Sequence, residues 1–309
     1  MPLGLKQLRY FIAIAESRAL SHAARTLNVA QSALSHHVAQ LEAEFAVRLI
    51  ERRARGIVLT AAGQRLYEHA LSITSAVKKT EDDVRTFAET PSGVIAVGLP
   101  HTAIELIALP LMQAVRRNWP RITLSLSEGL SVNLAARVLS GEMDLALAFN
   151  PTDDSRFARR PLLVEDMYLI GRPDLIGASP KPIEFAKMPK RPILAPFPSG
   201  SLRSLVNDHL LRNQIGAGDT LEIDSLVAMR QALEHGLGCS ILSRATVLSS
   251  LKEGRLHSRR IVEPELSRSL EQISLRDRPR TSAFVEIERV LTETVLAEVE
   301  SKRWPARKA

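Results

Sequence analysis

Between residues 31 and 55 the chain gathers the side chains with the most specific chemistry: Gln31, Ser32, Ser35, His36 and Gln40, then Arg52, Arg53 and Arg55. The first five are short or planar hydrogen-bonding groups, and on a helix they share one face. Such a face suits the donors and acceptors that base edges display in the major groove of duplex DNA. The arginines that follow suit phosphates. Glu42 and Glu44 stand only toward the far end of the same stretch, away from where phosphates would approach. A solvated helix surface would carry the same polar residues; the arginine cluster shifts the balance toward DNA.

Other chemistries find no assembly. The chain has no G-x-x-x-x-G-K-[ST], no G-x-G-x-x-G after a strand, no G-x-S-x-G and no H-E-x-x-H. Gly236-Leu237-Gly238 precedes a strand pattern and reads as a turn. Cys239 is the single cysteine, so neither a disulfide framework within the chain nor a multi-cysteine zinc site is expected. It opens an apolar run and reads as a buried strand residue, with a reactive thiol as the rival. His36 and His37 project about 100° apart on a helix and do not share one ion from the same face. We expect no catalytic constellation, no metal and no cofactor, which disfavours an α/β enzyme.

Elements able to position the basic stretch are legible around it. Leu5, Leu8, Phe11, Ile12 and Ala15 recur at helical spacing and predict a first helix over 5–16. Ser21 is the expected N-cap of a second helix with Ala23, Ala24 and Leu27 inward. After the break at Asn28-Val29-Ala30, Gln31–Phe45 predicts a third helix with Leu34, Val38, Leu41 and Phe45 on its core side. Leu49-Ile50 and Ile57-Val58-Leu59 bracket Gly56 as a short hairpin. The whole is a helix-turn-helix with a wing. Thr60 caps a long helix to about Ala88, on which Leu66, Ala70, Ile73, Val77, Thr80, Val84 and Phe87 form a heptad seam. That seam predicts a homodimer, which would set two recognition helices on two half-sites of an inverted repeat. Packing within its own chain is the alternative for the seam.

Length and charge agree with several domains. A chain of 309 residues suits two or three. Residues 1–65 carry nine Lys/Arg against four Asp/Glu, Ser301–Ala309 carry four basic residues and no acid, and the stretch between is slightly acidic. A basic head on a near-neutral body is the footprint of a nucleic-acid binder with a sensory part. No apolar run has the length of a membrane span and no leader pattern opens the chain, so a cytoplasmic location is expected.

Beyond Pro91-Ser92-Gly93 strands and helices alternate. Strands are expected at Val94–Leu99, Ile122–Leu126, Leu145–Phe149, Met167–Ile170, Ile193–Ala195, Leu221–Ile223, Cys239–Leu242 and Leu270–Leu275. Helices are expected at Leu106–Arg117, Val132–Ser140 with Ser131 as N-cap, Leu202–Arg212, Ser225–Glu234, Arg244–Leu251 and Ser282–Lys302. This order predicts α/β units on parallel sheet. In such lobes ligands sit at the carboxyl ends of strands. The loops Pro100-His101-Thr102, Ser131 and Pro198-Ser199-Gly200-Ser201, with Arg203 behind the last, meet that description.

Residues 3–90 resemble the DNA-binding head and linker helix of LysR-type transcriptional regulators. The resemblance rests on Ala23-Ala24, Gln31, Ala33-Leu34-Ser35, Leu41-Glu42, Arg52 and Thr60-Ala61-Ala62-Gly63. Ser32, Phe45-Ala46 and Leu49-Ile50 depart from the family's usual Pro, Leu-Gly and Leu-Phe. The stretch Pro161–Gly171 looks most like the nitrogen-assimilation-control branch. The body resembles the family's effector domain, which looks like a periplasmic binding protein. The resemblance implies a winged helix-turn-helix over 1–60, a linker helix over 61–90 and a two-lobed doubly wound effector domain over 91–309. Lobe I would span about 91–160 and 266–303 and lobe II about 161–265, with crossings near Asn150–Pro161 and Glu263–Ser267. It implies an effector cleft at His101, Thr102, Ser131 and Ser199, with Ser201 and Phe149 as neighbours. The implied function is sequence-specific regulation of transcription, modulated by a small polar or anionic effector. A homodimer assembling to a tetramer and contact with RNA polymerase follow from it. A regulator that needs no effector is the alternative.

Overall fold

The computed structural model describes residues 3–17, 19–53, 56–86, 91–189, 192–195 and 220–309. Expectations that fall on Arg55, Phe87 and the loop and helix from Pro198 to Arg212 lie outside these residues.

The head begins with α1 (Leu5–Ser17), which buries Leu8, Phe11 and Ile14. Helix α2 (Leu20–Leu27) starts one residue before Ser21, with Ala19 at the cap position and no side-chain cap. Ser21 is therefore inside the helix, because the buried Leu20 already belongs to its apolar face. Asn28, at φ 53, turns the chain out of α2, its N–H reaching the carbonyls of Ala24 and Arg25. Asparagine is among the residues that tolerate this left-handed turn. Helix α3 (Gln31–Phe45) buries Leu34, Val38 and Leu41. Together with Phe11, Ile14, Ala23, Ala24, Leu49 and Ile57 these close a small apolar core.

Strands β1 (Ile50–Arg53) and β2 (Gly56–Leu59) pair antiparallel from Ile50↔Leu59 to Arg53↔Gly56 and form the wing. Glu42 fixes its root: the carboxylate accepts the N–H of Leu49 at 2.7 Å and of Ile50 at 3.2 Å. Thr60 donates its hydroxyl to the Arg48 carbonyl at 2.6 Å and accepts the Gly63 N–H at 3.0 Å. It thereby caps α4 (Ala61–Thr86) and ties it to the wing. Gly63 lies so close to this strand root that a Cβ would stand 1.9 Å from the Leu49 carbonyl oxygen.

Along α4 the heptad positions divide. Leu66 packs on the head and Ala70 is fully buried, whereas Ile73 and Val84 are exposed. The linker also rests on the body. Gly141, at φ +75, is in a backbone conformation that strains a side chain, and a Cβ there would press Ser72 on α4, 3.0 Å from its Cα. Tyr67 on α4 lies 3.5 Å from Glu16 of α1. Burial and the Glu16 carboxylate push its phenol above the ordinary range.

The larger sheet of the body contains β3 (Gly93–Pro100), β4 (Ile122–Gly129), β5 (Leu145–Phe149), β6 (Phe157–Asp166), and the late strands 267–275 and 307–308. Helices α5 (His101–Asn118) and α6 (Ser131–Leu139) connect its first three strands. The smaller sheet contains β7 (Tyr168–Gly171), β8 (Ile183–Glu184), the strand at 240–242 and the strand at 257–262. Between these come α7 (Pro173–Ile176), β9 (Ile193–Ala195), β10 (Thr220–Glu222), α8 (Leu226–Glu234), β11 (Ser240–Leu242), α9 (Leu248–Lys252) and β12 (His257–Val262). The chain closes with β13 (Ser267–Leu275), α10 (Ser282–Glu300) and β14 (Arg307–Lys308). Strand order is β14-β6-β13-β5-β3-β4 in the larger sheet and β11-β7-β12-β8 in the smaller, with β9 and β10 paired in parallel beside the latter.

Three expectations are corrected. The sheets are mixed rather than parallel: β3, β4 and β5 run parallel, while β13 runs antiparallel to β5 and β6. Strand β13 arrives without a crossover helix, and a parallel neighbour requires one. The chain also stays in the larger sheet through Asp166 instead of leaving near Asn150–Pro161. The run Arg159-Arg160-Pro161 hides this strand from a hydrophobicity pattern. Arg159 belongs there because Glu271 on β13 receives it through Nε and Nη2 at 2.8 and 2.9 Å. Helix α5 likewise begins at His101 rather than Leu106, burying Thr102 and Ala103 in its first turn.

Candidate DNA-reading face and effector cleft

On α3, Gln31, Ser32, His36 and Gln40 are exposed and Ser35 is half-buried. They lie opposite Leu34, Val38 and Leu41, whose burial in the head core fixes the roll of the helix. His37 diverges from His36, as helical geometry requires. Its ring meets Tyr10 edge-on with centroids 5.0 Å apart, and its buried Nδ1 has no partner among the described residues. Arg53 is exposed on β1 and pairs with Glu51 at 2.9 Å. Arg52 lies on the same strand; its side chain, like Arg55, is outside the described residues. A shallow depression at the turn joins Ser21, Arg25, Asn28 and Gln31. Arg25 was not singled out by the sequence, although it is the one cation of α2.

A second concavity lies between the two sheets of the body. It brings together His101, Thr102, Ser131 and Phe149. Ser199 and Ser201 lie outside the described residues. His101 opens α5, and its Nδ1 is 2.5 Å from the Glu128 carboxylate. Ser131 is the first residue of α6 rather than its cap; Leu130 holds the cap position, and the Ser131 hydroxyl accepts the Phe149 N–H at 2.9 Å. Neither Pro100 nor Leu130 offers a side chain to the first turn of its helix. The leading N–H groups of α5 and α6 therefore have no capping side chain among the described residues, and they point toward the cleft with the positive end of each helix dipole. The facing wall carries Ile223, Asp224, Ser225, Leu226, Met229 and Leu242. Across the mouth, Arg230 of α8 reaches Glu105 of α5 at 3.3 Å.

The floor of the cleft is a cation that the sequence reading missed. Arg268, 8% exposed, gives Nε to Glu165 Oε2 at 2.7 Å. Its Nη2 lies 2.6 Å from the same oxygen and 3.3 Å from both Thr102 Oγ1 and Ser243 Oγ. Thr102 belongs to α5 and Ser243 follows β11, so one guanidinium spans both walls. It also stacks 3.6 Å over the Phe149 ring, an attraction of quadrupole and charge. Arg268 sits in phase with the buried Leu270 and Gln272 on β13. A basic residue at an inward position of a strand was the available signal.

Comparison with known proteins follows the same division of the chain. Residues 5–64 match the bacterial regulatory helix-turn-helix protein, lysR family, and residues 88–295 match the LysR substrate binding domain. Nitrogen assimilation regulatory protein nac of Klebsiella aerogenes is 30% identical over 269 residues, covering 87% of each chain. Its namesake from Escherichia coli (strain K12) is 28% identical over 305 residues, covering 98% of this chain and 99% of that one. These relatives agree with the branch that Pro161–Gly171 resembles. A full-length OxyR variant from Pseudomonas aeruginosa shares the fold at a TM-score of 0.72 and 21% identity, covering 96% of this chain and 95% of that one.

Proposed function

This chain belongs to the LysR family of bacterial transcriptional regulators, and on that premise we propose how it reads DNA and what controls it. It is a DNA-binding regulator with an effector-binding domain, not an enzyme. No helix among the described residues is long and apolar enough to cross a membrane, and we place the protein in the cytoplasm.

In our reading residues 1–60 form the DNA-binding domain, 61–90 the linker and 91–309 the effector domain. Gln31, Ser32, Ser35, His36 and Gln40 read base edges of an inverted-repeat operator, and Arg52, Arg53 and Arg55 hold its phosphates. Two chains pair through the exposed part of the α4 seam, Ile73 and Val84, and pairs assemble to a tetramer that contacts RNA polymerase. A small polar or anionic effector enters beside His101, Thr102, Ser131, Phe149, Ser199 and Ser201. Closing the two walls on it changes the spacing of the heads and the bend of the DNA. A difference of about 1–3 kcal/mol between the two arrangements suffices for such coupling.

The observation that carries the DNA reading is the polar face of α3, which faces solvent while three apolar residues lock the opposite face into the core. Genome-wide recovery of DNA bound to the purified protein tests it. A two-fold symmetric consensus is expected, with affinity that falls steeply with salt. In the variant Ser35→Ala with His36→Ala, discrimination between that site and random DNA should drop; an unaltered preference would sink the assignment of the face.

A further inference from the structure

The charges around the cleft specify its ligand more narrowly, on the reading that an effector binds there. Arg268 is more than nine-tenths buried and lines the cavity. Its Nε and Nη2 are engaged, whereas Nη1 donates to none of the described residues. A guanidinium edge left open in this way fits a carboxylate, which takes two parallel N–H donors.

The sum of charge limits the ligand to one such group. Glu165, fully buried, cancels the charge of Arg268. The N-termini of α5 and α6 add roughly half an elementary charge each. The lobe I wall is therefore worth about one positive charge. Glu128 beside α5 meets the His101 ring, which offsets its charge only when protonated, so this carboxylate lowers the positive sum and never adds to it; Glu105 pairs with Arg230. Opposite this wall stands Asp224, exposed and without an ion pair among the described residues. A second carboxylate reaching across would meet that acid. Of the rest of the facing surface, Ser225 spends its hydroxyl on capping α8, and Ile223, Leu226, Met229 and Leu242 offer contact to an apolar body.

We infer that the cleft takes a small monocarboxylic acid with an apolar body, its carboxylate on Nη1 and Nη2 of Arg268 and its body against the α8 wall. Binding at Nη2 displaces the hydroxyls of Thr102 and Ser243, the two contacts by which Arg268 spans the walls.

Calorimetric titration of the full chain with benzoate, hexanoate, succinate, benzamide and benzylamine tests this. Benzoate or hexanoate should bind saturably, and about tenfold or more tighter than the neutral amide, as loss of a charge-assisted pair warrants. Succinate should bind more weakly than hexanoate. Arg268→Met should abolish the preference for carboxylate over amide. Asp224→Asn, a change at an exposed site, should raise succinate affinity severalfold and serves if the Arg268 variant does not fold. Benzamide binding as tightly as benzoate, succinate binding more tightly than hexanoate, or no gain for succinate in Asp224→Asn would overturn the monocarboxylate assignment and leave an effector cleft in place. Absence of binding by every probe at millimolar concentration would overturn both.

Discussion

Trp304 donates its indole N–H to Oε1 of Glu165 at 2.7 Å, and the other oxygen of that carboxylate holds Arg268. Both Trp304 and Glu165 are fully buried. The segment after α10, which looks in sequence like a basic tail, thus reaches the floor of the effector cleft through one carboxylate. Strand β14 fastens the same segment to β6, with Arg307 and Lys308 opposite Val164 and Leu163.

Trp304→Phe keeps an aromatic ring in place but removes the donor and part of the indole's volume. A buried carboxylate oxygen then has no partner, which costs about 1–3 kcal/mol. The thermal midpoint of the body should fall accordingly. An unchanged midpoint would show that the N–H does not anchor the segment.

Gly63→Ala places a methyl group 1.9 Å from the Leu49 carbonyl oxygen, a backbone atom that cannot swing aside. Overpacking of this kind costs about 1–3 kcal/mol or more. The root of the wing should separate from α4, lowering both the head's thermal stability and its affinity for DNA. Full operator binding by this variant would refute the close approach.

Ala46 ends α3 at φ 53 and ψ 30, a left-handed conformation that disfavours a Cβ. The side chain is exposed, so nothing is lost by removing it. Ala46→Gly should stabilise the head by about 0.5–1 kcal/mol, after the entropy glycine adds to the unfolded chain. Thermal unfolding of the two proteins side by side measures the difference; a lower midpoint for the glycine variant contradicts it.

Arg53→Ala should weaken operator and random DNA alike and reduce the salt dependence of binding by about one unit of slope. Affinity measured across a salt series reads the slope directly. A selective loss at the operator would mean instead that Arg53 touches bases.

Tyr67 ionises less readily in the folded protein than the ordinary phenol at 10.0. Its neutral form therefore adds stability that is complete below that value and is lost as pH rises through the folded one. Tyr67→Phe should flatten the alkaline decline of the thermal midpoint. If the decline keeps its steepness, another group is responsible.

The head was legible almost residue by residue, because its signals are local. Leu34, Val38 and Leu41 set the roll of α3, and Thr60 with Gly63 ends the wing and starts the linker. Even its misplaced cap is local in cause: Ser21 has the better chemistry, but Leu20 is needed in the core and draws the helix start back to Ala19. In the body, the α/β alternation and the loops at His101 and Ser131 were legible for the same reason. Strand β6 was not, since Arg159 makes sense only once Glu271, 112 residues later, stands beside it.

Sequence by itself therefore determined the winged head, the polar face of α3, the long helix after the wing and the existence of two α/β lobes, all of which follow from spacing within a few turns of chain. Tertiary structure alone decided the antiparallel return of β13, the placement of Arg268 between two walls, and the union of Glu165, Arg268 and Trp304. Glu165 and Arg268 lie 103 residues apart, and Glu165 and Trp304 lie 139 apart. Pairing of buried charges depends on which strands become neighbours, and no local pattern encodes that choice.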